Sequence, residues 1–259
     1  MKRLALFAHY DPRAQVKRYV VHHLQALREV CDETWFVSTA SLPEQELAKV
    51  RPICERAWTR ENVGYDFGSW SDALDRVTLT DWDELVLTNS SVFGPLWPLR
   101  EAFERMSTKG VDFWGMTDSG SVAWHIQSYF LVFRARLLHS TAFRELFRGV
   151  TGTDKLALIR KYEVGLTTAF TRAGFRAAVL VPGREIPRPF LQRMLRPNFN
   201  PPISQPMALL ERRMPYVKIE LLRNNPRRRP LEPVRAAMRA AGYDSSLIEI
   251  DPRPPEPWR

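Results

Sequence analysis

The chain of 259 residues is 44% hydrophobic and 26% charged, enough apolar material for one large domain or two small ones and too much for a disordered tail. Lysine and arginine number 38 against 29 aspartates and glutamates, a net charge of +9, which favours an anionic partner: nucleic acid, a nucleotide diphosphate or an anionic membrane surface. The two cysteines, Cys31 and Cys54, exclude a disulfide framework and a cysteine-built zinc site and read as buried packing residues.

Leu4 to Ala8 is a continuous apolar run, the pattern of a strand buried on both faces of a parallel sheet and too short for a signal peptide. Val16, Tyr19, Val20, His23, Leu24, Leu27 and Val30 follow at steps of three and four, which predicts a helix with one apolar stripe. Trp35 to Val37 reads as a second strand, and a third ends near Trp58. Asp66 to Val77 repeats the helical pattern through Phe67, Trp70 and Leu74, and Leu85 to Leu87 returns to a buried strand. Leu99, Phe103 and Met106 mark a helix; Phe113 to Met116 and Tyr129 to Phe133 are strands. Helical stretches around Leu137 to Phe147 and Lys155 to Arg172, the second stopped by Gly174, lead to a last strand at Ala177 to Val181.

This alternation predicts an open α/β sheet with short crossovers over residues 1–182. Pro182, Pro187, Pro189, Pro197, Pro201, Pro202, Pro206 and Pro215 then predict an irregular extension, with short helices packed on the main domain over residues 183–250. The proline-rich residues 251–259 read as a flexible tail. No run approaches the roughly 20 apolar residues of a membrane span, so the expectation is a soluble, cytoplasmic protein that touches a membrane only from outside.

In open α/β sheets ligands bind beyond the carboxyl ends of the strands, where loops diverge and helix amino termini point at the crevice. His9, Tyr10 and Asp11 follow the first strand. The string RENVGYDFGSW places Arg60, Asn62, Gly64, Tyr65 and Asp66 at the start of a helix; Asn89, Ser90 and Ser91 follow the strand at Leu85, and Asp118 follows that at Phe113. Singly, each has a structural explanation: a cap for Asp66, a turn for Gly64, a polar turn for Asn89 to Ser91. Together on one rim they point to an elongated polar ligand with a phosphate portion, Arg60 supplying charge and amides near Gly64 approaching a nucleotide. For His125 and Gln127, which lead into the strand at Tyr129, and for Glu163, on the helix of Leu166 and Phe170, structural and chemical roles stand at parity. The absence of GxxxxGKS/T, GxSxG, HExxH and GxGxxG strings removes most support for kinases, serine hydrolases, zinc proteases and dinucleotide enzymes. No nucleic-acid module accompanies the positive charge, so no nucleic-acid partner is expected.

The strings RENVGYDFGSW, LTNSSVFGPLWPL, VDFWGMTDS, HIQSYFLVF, YEVGLTTAFTRAGF and YVKIELLRNNP occur in the order of the motifs of the rhamnan synthesis protein F family. The chain resembles this family of bacterial polysaccharide glycosyltransferases over residues 3 to 226. The resemblance implies a GT-A type fold, a Rossmann-like open sheet flanked by helices. It also implies transfer of rhamnose or a related sugar, galactofuranose included, from a nucleotide-diphosphate sugar to a lipid-linked or oligosaccharide acceptor of an O-antigen, capsule or rhamnan, with inversion. Carried over by position, Arg60, Asn62, Gly64 and Asp66 would hold the nucleotide, Glu163 would be the catalytic base, and His125 and Gln127 would face the donor sugar or acceptor; the strand-end reading adds His9, Asn89 and Ser90 to the nucleotide-sugar set and Asp118 to the sugar or acceptor set.

One departure stands out. The family usually reads Asn-Asp-Ser where this chain has Asn89, Ser90 and Ser91, and a serine hydroxyl is a poor ligand for Mg²⁺ or Mn²⁺. The chain therefore works without metal, recruits another acid such as Asp118, or has lost activity; the last option leaves a non-catalytic glycan- or nucleotide-binding subunit of an assembly complex as the alternative reading. Arg212, Arg213, Arg223 and Arg227 to Arg229 concentrate basic charge after residue 210 and predict a surface facing an anionic membrane, on its inner face, or a lipid diphosphate.

Overall fold

A computed structural model describes residues 1–120, 123–152, 154–187 and 199–250. The first half runs β1 (Arg3–His9), α1 (Arg18–Arg28), β2 (Glu33–Ser38), α2 (Glu44–Leu47), β3 (Arg56–Thr59), α3 (Tyr65–Leu74), β4 (Glu84–Asn89), β5 (Val92–Phe93), α4 (Leu99–Ser107) and β6 (Phe113–Ser119). It continues through β7 (His125–Ile126), β8 (Phe130–Arg134), α5 (Ala135–Leu138), α6 (Thr141–Phe147), α7 (Lys155–Leu158), a π-helical turn (Ile159–Val164), α8 (Gly165–Arg172) and β9 (Ala177–Val181). The extension holds α9 (Pro201–Ser204), α10 (Pro206–Leu210), β10 (Val217–Lys218), α11 (Ile219–Asn224) and α12 (Glu232–Ala240).

The first strand is apolar on both faces because it lies inside the sheet, whose order is β3-β2-β1-β4-β8-β6-β7 with β9 also paired to β6. Its side chains alternate, as the pleat demands. Ala5 and Phe7 join a layer with Val20, Leu24 and Leu27 of α1 and Leu99 and Phe103 of α4. Leu4, Leu6 and Ala8 join the opposite layer with Phe67 and Trp70 of α3, Phe143 and Phe147 of α6 and Phe170 of α8. The fully buried Phe7 ring fills this interior without contact with water; truncation to alanine would cost about 3–5 kcal/mol.

β1 to β4 pair in parallel, β8 runs antiparallel to β4 and β6, and β9 is parallel to β6. The carboxyl ends of β1, β2, β3, β4, β6 and β9 therefore share one edge, and β8 begins there. This mixed, helix-flanked sheet is the expected α/β class, with the reversal of β8 added. Two predicted helices are divided. Ser140 separates α5 from α6 because its Oγ caps the second by accepting the Phe143 N–H at 3.2 Å, and the π turn interrupts Lys155 to Arg172.

The extension shares the core of the sheet. Leu209, Met214, Tyr216, Leu221, Val234 and Met238 enter the layer of Phe7, and β10 pairs antiparallel with β5, Lys218 opposite Val92. The seam needs Gly94: its φ is +130°, and a Cβ there would strike the Pro215 carbonyl oxygen that accepts the Leu96 N–H at 2.8 Å. Cys54 is buried, whereas Cys31 is only half-buried; both are free thiols, held up to about 12 by burial. Pro189, Pro197 and the expected tail of residues 251–259 lie outside the described residues. Among the described residues no helix is long and apolar enough to cross a membrane.

Candidate active site

The polar residues after β1 and β4 are bound to one another. His9, at the end of β1, is buried with Nδ1 2.9 Å from the Ser38 hydroxyl. Burial holds its pKa down at about 3, so the imidazole is neutral. Asn89, at the end of β4, donates from Nδ2 to Asp66 Oδ2 at 2.8 Å, while its Oδ1 accepts the Ser91 N–H at 3.1 Å and the Ser91 hydroxyl at 2.6 Å. Ser90 Oγ accepts the Tyr10 N–H at 3.3 Å, its N–H reaches the Ala8 carbonyl at 3.1 Å, and its own carbonyl accepts the Tyr19 hydroxyl at 3.1 Å. The loop is thus built rigid by its own bonds.

Arg60 extends β3 through an N–H donated to the Ser38 carbonyl at 2.8 Å. Its guanidinium turns inward: Nη2 donates to the Val63 carbonyl at 2.9 Å, and Nη1 is buried without a hydrogen-bond partner beside Gly68. Gly64 is buried with φ +78°, and its N–H is spent on the Gly152 carbonyl at 2.8 Å. Arg60 and the Gly64 amide, expected at a phosphate, therefore secure the loop that opens α3. Asn62 is exposed on that loop. Tyr65, φ +50°, follows Gly64 in the left-handed region and places its ring at the surface.

At β6, Asp118 is buried and accepts the Trp124 Nε1–H at 2.7 Å and the Gly183 N–H at 2.5 Å. His125 is buried with Nδ1 2.8 Å from the Ala123 carbonyl. Gln127 carries its N–H to the Thr117 carbonyl at 3.0 Å and its Nε2 to Asn200 Oδ1 at 2.9 Å, tying the edge to the extension. A groove of about 590 Å³ runs alongside, lined by Asp118, Trp124, Gly183 and Arg184.

Glu163 stands in the π turn, a geometry that recurs at functional sites. Its Oε1 accepts the Ser128 N–H at 3.4 Å and the Ser128 hydroxyl at 3.1 Å, just before β8 begins at the same edge. Thr167 Oγ1 accepts the Ile126 N–H at 3.0 Å and pins α8 to β7. The structure adds Lys218, which the rim reasoning missed. It is half-buried, its Nζ lies 4.5 Å from the Tyr129 ring centroid, and the Ile219 N–H beside it binds the Ser91 carbonyl at 3.0 Å. Burial lowers its pKa against the opposing pull of Glu163, Asp66 and Glu220. The available signal was a lysine between the apolar Val217 and Ile219 of YVKIE. The large exposed apolar side chains of the described residues are Met1, Tyr10, Tyr65 and Trp124, and the last three all border this edge.

The carboxylates of this edge carry hydrogen bonds of their own. Among the described residues no group of three or more histidines, cysteines, aspartates or glutamates is arranged to hold a metal ion. Ser90 brings no carboxylate, Asp118 already accepts from Trp124 and Gly183, and Asp66 accepts from Asn89.

A family model described as rhamnan synthesis protein F matches residues 34–249. Virulence protein VirA of Vibrio anguillarum is 30% identical over 211 residues, a match spanning 71% of this chain and 67% of VirA. The uncharacterized protein y4gN of Sinorhizobium fredii is 25% identical over 215 residues, 80% of this chain and 55% of that protein. Among solved structures, a protein assigned as a nucleotide-diphospho-sugar transferase from Desulfovibrio desulfuricans G20 superposes with a TM-score of 0.45 at 17% identity, covering 70% of this chain and 80% of that one. A 4-diphosphocytidyl-2C-methyl-D-erythritol synthase gives 0.42 at 15% identity, covering 75% and 95%. The family match runs from β2 past α12 and includes the loop of Asn89, the π turn of Glu163 and the strand of Lys218, and the chain belongs to the rhamnan synthesis protein F family.

Proposed function

We propose that the chain is an inverting glycosyltransferase that moves rhamnose or a related sugar, galactofuranose included, from a nucleoside-diphosphate donor to a hydroxyl of a growing cell-surface glycan. The observation that carries this reading is Glu163: a carboxylate at the ligand-binding edge of an open α/β sheet, with one oxygen oriented by Ser128. The acceptor oxygen attacks the anomeric carbon and the C–O bond to the diphosphate breaks. The electron pair leaves with the nucleoside diphosphate, and the acceptor proton passes to Glu163. Asp66, Asn89 and Ser90 shape the donor side of the crevice; Asp118, His125 and Gln127, with the Trp124 face and the groove beside it, serve the acceptor or donor sugar.

The exposed Arg223 and Arg227 to Arg229 of the extension would hold the enzyme against an anionic membrane, where a lipid-linked acceptor resides. The test is release of nucleoside diphosphate from nucleotide-activated rhamnose and galactofuranose by purified protein, with Glu163→Gln as comparison. Release by the wild type and its loss in the variant support the assignment. Release by neither, from any donor tried, favours the non-catalytic binding subunit that Ser90 suggests.

A further inference from the structure

Transfer from a nucleoside diphosphate leaves negative charge on the departing diphosphate, and some group must be in place to meet it. Among the described residues no group of three or more metal-ligating side chains stands along the edge, and Lys218 brings a positive charge to it. Lys218 reaches the site on β10, paired through Val92 to the strand that follows the Asn89–Ser91 loop, and Ile219 locks the register on Ser91. Asp66 and Glu163 bear on it from α3 and the π turn, and Glu220 from α11. Among the described residues its ammonium makes no hydrogen bond and no ion pair within 4 Å; its recorded neighbour is the Tyr129 ring at 4.5 Å.

An ammonium without a bonded acceptor among the described residues, on a half-buried side chain held over the Tyr129 ring and within the field of the acid proposed as base, is arranged to receive an anion.

Building on the glycosyltransferase reading, we propose that Lys218 is the fixed cation of this site, contacting the donor diphosphate in place of a divalent metal. Lys218 then binds the diphosphate in the ground state and stabilises it as it leaves. The Tyr129 ring and the β5–β10 pairing keep the ammonium in position before substrate arrives, so little ordering is left to pay for at the moment of reaction.

The test is calorimetric titration of the purified protein with uridine, guanosine and thymidine diphosphates and with the matching nucleosides, in EDTA and again in Mn²⁺. The expected result is that one diphosphate binds in EDTA with an affinity that Mn²⁺ changes less than about twofold. In Lys218→Met its affinity falls about tenfold or more, nucleoside affinity is unchanged, and Lys218→Arg recovers most of the loss. Binding by the wild type only when Mn²⁺ is added overturns the proposal while leaving the glycosyltransferase reading intact, as does a folded Lys218→Met that binds the diphosphate as tightly as wild type. Binding of no diphosphate under either condition overturns both together. The metal arm uses the wild type alone, so binding that requires Mn²⁺ overturns the proposal even where a variant fails to fold, which melting of the ligand-free variants would reveal.

Discussion

Two stretches of the same sheet edge treat their polar side chains in opposite ways. Around β1, β3 and β4, His9, Arg60, Asn89 and Ser90 are engaged with Ser38, the Val63 carbonyl, Asp66 and Tyr10. Around β8, the π turn and β10, Glu163 is oriented through one oxygen and Lys218 holds no bonded partner among the described residues. The first stretch builds a floor; on the reading proposed above, the second offers charge to a ligand. Polarity at a strand end thus marks where a crevice lies, and the state of each donor and acceptor marks which wall does chemistry.

The largest effect that could break this contrast is at Glu163. Glu163→Gln is expected to lower turnover by about 10²- to 10⁴-fold, with donor affinity and melting temperature close to wild type. Unchanged turnover would move the base elsewhere. Next comes the extension, which repeats the contrast on its surface. Arg212 donates to the Ala208 and Glu185 carbonyls and Arg213 pairs with Glu101, whereas Arg227 to Arg229 are exposed on a turn closed by Asn225, whose Oδ1 accepts the Arg229 N–H at 2.8 Å. Replacing all three of the latter with alanine should weaken sedimentation with anionic vesicles by about 1 kcal/mol per arginine near the surface, an effect that salt erases. Alanine at 212 and 213 should leave it unchanged. Equal loss from both sets would put the basic surface elsewhere than the turn.

Asn89→Ala probes the floor. It leaves Asp66 and the two Ser91 donors short of a partner, so a loss of about 1–3 kcal/mol is expected, or about 2–4 °C in melting temperature for each kcal/mol in a chain of this size. A direct nucleotide contact would show instead as lost affinity at unchanged stability.

Much of the architecture could be read from local pattern. Leu4 to Ala8 is apolar at every position, and α1 and α4 carry stripes at helical spacing. The reversal of β8, the pairing of β5 with β10 and the π turn could not be, because they depend on which distant segment supplies the hydrogen bonds. The site divides the same way. The rim positions of His9, Arg60, Asn89 and Asp118 follow from strand ends. Their bonding does not, since Asn89 meets Asp66 across 23 residues and Glu163 meets Ser128 across 35. Lys218 was hidden most deeply, arriving on a short strand from an extension whose prolines suggested irregular chain and short helices.

The last expected effect, absent at neutral pH, concerns the floor in acid. His9 and His23 are buried, and burial holds both at about 3, well below the ordinary value of 6.5. The unfolded chain takes up these protons as pH falls below 6.5 and the folded chain does not until about 3. Stability is therefore complete above 6.5 and is lost on acidification, at about 1.4 kcal/mol per pH unit for each histidine well inside that window. His9→Asn keeps a short polar side chain near Ser38 and cannot titrate there, so denaturant titrations between pH 6 and pH 4 should show a slope shallower by about that amount, with His23, buried against the Tyr216 hydroxyl at 2.7 Å, and toward pH 4 the carboxylates of Glu46 and Asp112, held below their ordinary values, contributing to what is left. An unchanged slope would mean that His9 takes up its proton in the folded state, and the wall assigned to scaffolding would then carry a titratable group within reach of the crevice.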